Sequence, residues 1–155
     1  MLTALFAFLS MAGADHHQPD EKDVILAVTQ TVFDAMAAHD GDMLLAAFHS
    51  PDTPLRIIRP QADGPTIIQT VPVSTFAASI AGSEHDLYEA GRDSTVLVSG
   101  PMAMVWMPFT FQLDGQHSHC GVNNFTLAMT QDGWKIIDSA YNHDTDCAED
   151  GFPKK

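Results

Sequence analysis

The sequence predicts a single α+β domain, in which a helical hairpin and a third short helix pack on one face of an antiparallel sheet. Helical periodicity is confined to the first half of the chain, whereas the segments from residue 84 onward are strand-like and separated by turn dipeptides. Helices followed by a meander of strands are typical of this class. The length of 155 residues fits one core, and no repeat or Pro/Gly/Ser-rich linker divides the chain.

The first predicted element is a helix over residues 20–39, whose apolar side chains recur at a spacing of three and four: Ile25, Val28, Val32 and Met36. Asp20 or Asp23 could cap it, and the residues His39-Asp40-Gly41 end it. A second, shorter helix is predicted from Asp42 and is stopped by Pro51. The two helices therefore form the hairpin.

Strands alternate with turn signals in the rest of the chain. The segments "LRIIRP" and "TIIQTV" flank Asp63-Gly64, a hairpin-turn signal. The segment "VSTFAASIAG" predicts the third helix, with Ser74 as a possible cap and Gly82 at its end. Four strand-like segments follow, beginning with "DLYEAGRDSTVLVSG", and turn dipeptides separate them: Gly100-Pro101, Asp114-Gly115 and Asp132-Gly133.

The charge balance disfavours two classes of partner. The chain has 7 Lys and Arg against 20 Asp and Glu, a formal net charge of -13. Such a field repels phosphates, so we expect neither nucleic acid nor an anionic membrane surface as a partner. No uninterrupted apolar run approaches the roughly 20 residues that a spanning helix needs.

Residues 1–14, "MLTALFAFLSMAGA", predict a secretory signal that ends in an A-x-A cleavage site, Ala12-Gly13-Ala14. No Lys or Arg precedes the apolar run, so an ordinary buried helix is the alternative. We expect residues 15–155 to form the single domain, with a short acidic C-terminal tail, in the periplasm or outside the cell. In an oxidising compartment Cys120 and Cys147 are expected to pair. The bond would close a loop of about 27 residues and contribute roughly 3–4 kcal/mol; otherwise both thiols are free.

Two segments resemble the nuclear transport factor 2-like superfamily, and within it the exported SnoaL-like or lumazine-binding branch. They are "AAHDGDMLLAAFHSPD" and the long stretch from "VSGPMAMVWMPF" through "SHCGV" and "GWKI" to Asn142. The resemblance implies a cone, in which a strongly curved sheet wraps around the helices and leaves an apolar pocket at its wide end. It also implies a homodimer through the outer sheet face. The superfamily contains isomerases, dehydratases, cyclases and epoxide hydrolases, so this fold does not decide function.

The segment "HSHCGVNNF", residues 117–125, supplies the main site candidates. Strand alternation places His117, His119, Asn123 and Phe125 on one face, unless a bulge breaks the parity. If Phe125 faces the interior, the pocket wall receives His119 and Asn123. The sequence leaves open which face of the companion strand lines the cavity. The candidate ligand-binding residues are Trp106, His119, Asn123, Phe33 and His49.

A catalytic hypothesis takes His119 as a general base, because an unperturbed histidine has a pKa near 6.5. Asn123 could hold a carbonyl or hydroxyl group, and Asp138 or Tyr141 could orient the base or donate a proton. Asp138 faces either solvent or the pocket, and we expect it to face solvent. The Tyr and Asp pair of the ketosteroid isomerases is not evident, since Phe33 stands where the tyrosine would act.

A metal hypothesis rests on His117-x-His119, with a third ligand from His49, His143 or Asp138. This HxH pattern is a weak signal, because histidines beside a turn are usually solvated. We therefore expect no metal and no organic cofactor.

Three functions remain. The first is an exported binding domain for a small apolar molecule, aromatic or polycyclic. The second is a cofactor-independent SnoaL-like enzyme of isomerase, cyclase or hydrolase type that uses His119. The third is a subunit that serves protein association alone, for which a sealed cavity is expected.

Overall fold

The structure is a computed structural model that describes residues 20–154, so the predicted leader, residues 1–14, lies outside the described part. Within that part no helix is long and apolar enough to cross a membrane. Three helices and seven strands follow one another in residues 20–154: α1 Glu21–Ala38, α2 Gly41–Ala47, β1 Pro54–Arg59, β2 Ile67–Pro72, α3 Val73–Ala81, β3 Leu87–Gly91, β4 Thr95–Ser99, β5 Met102–Leu113, β6 Gln116–Thr130 and β7 Gly133–Asn142.

The seven strands form one curved sheet in the order β2-β1-β7-β6-β5-β3. Strand β4 pairs with the first half of β5, and β3 pairs with the second half. The predicted α+β class with a curved sheet around three helices is confirmed. One pair departs from an antiparallel sheet, because β1 runs parallel to β7. These two strands are far apart in sequence, so no tight turn constrains them to be antiparallel. The segment predicted as one strand over residues 86–100 forms two strands, β3 and β4.

The first helix of the hairpin has the predicted bounds, whereas α2 begins at Gly41 and ends at Ala47, before the predicted stop at Pro51. The side chain of Asp20 accepts a hydrogen bond from the backbone N–H of Lys22, which satisfies one free donor of the first turn. α1 ends at His39, whose φ of 54° is left-handed. Asp40 then caps α2 by accepting from Met43 at 2.8 Å. The turn between the helices is therefore specified by adjacent side chains.

The buried face of α1 includes Ile25, Val32 and Met36, as the periodicity predicts. Thr29 is fully buried, and its neighbour Val28, the predicted member of this face, is only half-buried. The burial of a hydroxyl is tolerated here because Thr29 donates to the carbonyl of Leu26 at 2.9 Å.

α3 begins two residues before the position that a Ser74 cap requires. Its cap residue is Pro72, which makes no side-chain hydrogen bond, and Ser74 lies within the helix. The first N–H groups are satisfied by carbonyls of the loop between α2 and β1, because Val73 donates to Thr53 and Ser74 donates to Pro51. The Ser74 cap is therefore wrong, whereas Gly82 ends the helix as predicted.

Two β-bulges interrupt the long strands. In β6, Phe111 of β5 faces His119 and the next residue, Gln112, faces His117, so Ser118 is an extra residue. In β7, Ile137 is the extra residue in the pairing with β6. Each bulge moves the following side chains to the opposite sheet face. They therefore decide which side chains reach the interior.

The C-terminal residues 143–154 fold back over the start of β6. Cys120 and Asp144 exchange two backbone hydrogen bonds of 2.9 Å, and the predicted disulfide joins Cys120 to Cys147. Gly121 permits this close approach, because a Cβ there would collide with the carbonyl of Asn142. The tail is thus tied to the sheet beside the strand that carries the candidate residues.

Candidate functional site

A cavity of about 200 Å³ lies between the helices and the inner face of the sheet. Its walls are mainly apolar, and six aromatic rings contribute to them: Phe33, Phe48, Phe76, Phe111, Phe125 and Tyr141. Ser79, an exposed residue of α3, also lines the cavity and marks its mouth. A mostly apolar concavity with a few polar groups is the usual form of a small-molecule site.

The polar groups of the cavity converge because strand register places them on neighbouring positions of the inner face. Phe111 of β5 pairs with Glu89 of β3 on one side and with His119 of β6 on the other. Asn123 of β6 pairs with Tyr141 of β7. Three strands thus deliver a carboxyl, an imidazole, an amide and a phenol to one cavity.

Glu89 and Asn123 form the central polar contact. The amide nitrogen of Asn123 donates to a carboxyl oxygen of Glu89 at 2.6 Å. Burial raises the pKa of Glu89 to about 7, and the hydrogen bond from Asn123 opposes this only in part. The carboxyl therefore exists in both protonation states near neutral pH, the range in which a carboxylic acid can exchange a proton with a ligand.

His119 is buried and stacks on His143, with the ring centroids 3.9 Å apart and the planes inclined by 14°. Its Nδ1 lies 3.1 Å from the hydroxyl of Ser118. Burial lowers the pKa of His119 to about 4, and the nearby His143, His117 and Arg59 act in the same direction. The expectation of a near-neutral pKa for this histidine is wrong, because a desolvated imidazole is held in its uncharged form. His119 is thus a neutral hydrogen-bonding group at pH 7.

Tyr141 presents its ring to Phe109 in an edge arrangement, with centroids 6.0 Å apart. Burial raises the pKa of the Tyr141 phenol, and the Glu89 carboxyl raises it further, while Arg59 lowers it. The phenol is therefore protonated near neutral pH and able to donate a hydrogen bond to a ligand.

Four of the candidate residues reach this cavity: Phe33, His119, Asn123 and Tyr141. Trp106 does not, because it belongs to the opposite parity of β5 from Phe111 and is 48 % exposed on the outer face. Its predicted position in the pocket is wrong. Phe111 takes that place.

Asp138 and His49 also lie outside the cavity. The bulge at Ile137 turns Asp138 to the outer face, where it forms an ion pair with Arg56, so a catalytic role for Asp138 in this cavity is contradicted. His49 is exposed, and its neighbour Phe48 lines the cavity instead. Phe48 bridges to Ile136 of β7, which sets this orientation.

The HxH pair does not converge. The bulge at Ser118 separates the two rings, and His117 is exposed, with its Nε2 3.1 Å from the carbonyl oxygen of Gly151. Among residues 20–154 no three His, Cys, Asp or Glu side chains are placed to hold a metal ion.

Glu89 is the site residue that sequence analysis missed. It lies in "DLYEAG", where an alternating strand places it on the same side as Leu87. An acid on the face of an apolar residue is the signal that could have identified it. Both Leu87 and Glu89 line the cavity.

Comparison with known proteins gives matches only among solved structures, since no family model and no curated protein matches the chain. A nuclear transport factor 2-like (NTF2-like) protein of Cytophaga hutchinsonii aligns with a TM-score of 0.64 at 16 % identity, over 81 % of this chain and 99 % of that protein. A proposed dehydratase of the NTF2-like family from Streptomyces avermitilis aligns with a TM-score of 0.62 at 17 % identity, over 81 % and 98 %.

A third structure is the β subunit of a proposed aromatic-ring-hydroxylating dioxygenase from Novosphingobium aromaticivorans. It aligns with a TM-score of 0.64 at 10 % identity, over 79 % of this chain and 88 % of that subunit. Identities this low establish the architecture and not the activity. The chain has the NTF2-like fold, also called cystatin-like.

Proposed function

We propose that the protein binds a small molecule with an apolar body and one polar group in the cone cavity. The observation that carries this proposal is the convergence of Glu89, Asn123, His119 and Tyr141 on one aromatic-lined cavity. The apolar walls supply affinity through burial. The polar groups supply orientation.

The cavity volume narrows the class of ligand. An engineered apolar cavity of about 150 Å³ accommodates benzene, and the cavity here measures about 200 Å³. A molecule with one ring and a short substituent is therefore of suitable size.

Isothermal titration calorimetry with a panel of single-ring alcohols, phenols and amines tests the proposal. Ser79→Phe fills the mouth of the cavity from an exposed helix position, and Ala78→Phe places the same ring on the neighbouring exposed position outside it. We expect Ser79→Phe to weaken binding at least tenfold and Ala78→Phe to leave it unchanged. Absence of binding by the whole panel, or equal affinities in the two variants, would overturn the proposal.

An enzyme of acid/base type is the second candidate, favoured by the carboxyl of Glu89. Its pKa of about 7 suits proton transfer at neutral pH better than that of His119, so Glu89 replaces His119 as the base. In such a step Glu89 would take a proton from the carbon beside a ligand carbonyl, while Tyr141 donates a hydrogen bond to the carbonyl oxygen.

Deuterium exchange into single-ring ketones, followed by NMR, tests this second candidate. The expected exchange is lost in Glu89→Gln and retained in Glu84→Gln, a change at an exposed glutamate outside the cavity. Exchange at the uncatalysed rate with the wild-type protein argues against the enzyme.

We also propose that the outer sheet face mediates a homodimer. Leu97, Met102 and Trp106 are large apolar residues exposed on adjacent strands of this face. Light scattering should show a dimer that Trp106→Asp dissociates and Ile68→Asp, on the distant strand β2, does not.

Export to the periplasm or the cell exterior is a further proposal, supported by the disulfide, which persists in oxidising compartments. Mass spectrometry of the protein in separated periplasmic and cytoplasmic fractions tests it. The expected mass lacks residues 1–14, and a full-length cytoplasmic product would contradict export.

A further inference from the structure

We propose that the cavity selects small ligands that carry a protonated amine, with the ammonium group paired to Glu89 and the apolar body against the phenylalanine rings. This inference rests on the proposed binding function and specifies the class of ligand.

Glu89 is the only acidic or basic residue, apart from the uncharged His119, among the described residues that line the cavity. None of the ion pairs in residues 20–154 includes it. One carboxyl oxygen accepts from Asn123 at 2.6 Å, and the other has no hydrogen bond within the same range. A carboxylate in this position has a free oxygen and no countercharge.

Such a group is costly to bury without a partner. Loss of hydration disfavours its charged form, which is the reason that its pKa is raised. A ligand ammonium would provide the missing countercharge and donate to the free oxygen, which makes a charge-assisted hydrogen bond. The site therefore has more to gain from a cation than from a neutral ligand of the same shape.

The walls of the cavity favour the same class of ligand. Five phenylalanine rings and Tyr141 surround the space, and the faces of aromatic rings attract cations. A net charge of -13 also raises the local concentration of cations and lowers that of anions. Arg59, whose charge acts on His119 and Tyr141, does not line the cavity and donates to Gln69 at 3.0 Å.

The groups around Glu89 set the pH dependence. On the cavity side they are Asn123, Tyr141 and His119, and on the side of α1 the exposed Asp34 lines a shallow surface depression together with Glu89. The imidazole and the phenol are uncharged between pH 6 and pH 8. Ionisation of Glu89 with a pKa of about 7 should therefore raise the affinity for an amine about tenfold over this interval.

Calorimetry with benzylamine and benzyl alcohol tests the inference, because the two molecules differ little in shape and differ in charge. At pH 8 we expect the wild-type protein to bind benzylamine at least ten times more tightly than benzyl alcohol. In Glu89→Gln, which can still accept from Asn123, the ratio should fall to about one. In Glu84→Gln it should be unchanged.

The outcomes separate this inference from the function on which it rests. Benzyl alcohol binding that equals or exceeds benzylamine binding, and that Ser79→Phe abolishes, would refute amine selection and leave the binding function in place. If neither probe nor any panel member binds, both the amine selection and the binding function are overturned. If Glu89→Gln does not fold, the ratio of benzylamine affinity to benzyl alcohol affinity in the wild-type protein decides alone. This ratio should rise about tenfold from pH 6 to pH 8, and a constant ratio refutes the inference.

Discussion

Replacement of Glu89 by glutamine is expected to stabilise the protein at pH 8 much more than at pH 5. The carboxyl is half-buried in the cavity between the helices and the sheet, and its hydrogen bond comes from Asn123 alone among the described residues. Glutamine has nearly the same shape and can still accept from Asn123. The substitution therefore removes the cost of a buried negative charge and retains the main contact.

The magnitude follows from the pKa of this group. Burial raises it from 4.5 to about 7, so the protonated form is favoured by the folded state. The stability associated with that form is fully present below pH 4.5 and is lost as the pH rises through 7. By this linkage, the raised pKa lowers the free energy of unfolding by about 1 kcal/mol at pH 5 and by about 3 kcal/mol at pH 8, relative to a carboxyl whose pKa stays at 4.5. The stabilisation by Glu89→Gln should thus grow by about 2 kcal/mol between these pH values.

Urea unfolding at both pH values measures the effect, with the fluorescence of the buried Trp134 as the probe. Glu84→Gln serves as the control, because Glu84 is exposed and outside the cavity. A difference between Glu89→Gln and wild type that is the same at pH 5 and pH 8 would refute the raised pKa. A destabilisation at pH 8 would refute the unpaired charge.

Three further measurements test other parts of the structure. Removal of the disulfide by the double substitution Cys120→Ser and Cys147→Ser should cost about 3 kcal/mol in urea unfolding, and equal stability of the two proteins would contradict a structural role. Burial keeps His119 uncharged, so its NMR titration should have a midpoint of about 4, and a midpoint near 6.5 would contradict the buried placement. The stability due to this group is present above pH 6.5 and is lost as the pH falls toward 4. Phe109→Ala should cost about 3–5 kcal/mol because Phe109 is fully buried, whereas Tyr88→Ala, at an exposed ring, should cost less than about 1 kcal/mol.

The helical hairpin and the main turns could be predicted because their signals are local. Asp20 caps α1, and the positive φ of Gly64 lies in the turn that Asp63-Gly64 predicts. Such features depend on the preferences of a few adjacent residues. The Ser74 cap was wrong for the opposite reason, since carbonyls of a packed loop took over the role of the side chain.

The candidate site was predicted only in part, because it depends on strand parity. Parity along β6 from His119 to Phe125 is regular, so His119 and Asn123 were correctly placed beside the pocket. The bulge at Ser118 separates His117 from that set, and the bulge at Ile137 turns Asp138 outward. A bulge is selected by how two strands pair over their whole length, and no residue in either segment marks it.

The amino-acid sequence by itself determined the α+β class, the order of helices and turns, the acidic character of the molecule and the single pair of cysteines that could form a disulfide. Each of these depends on local periodicity, on composition or on a choice among few partners. Only the tertiary structure decided that Glu89 lies in the cavity, that His119 is held uncharged against His143, and that Trp106 faces outward. The physical reason is that burial and charge environment are properties of a side chain's neighbours, and those neighbours come from strands distant in sequence.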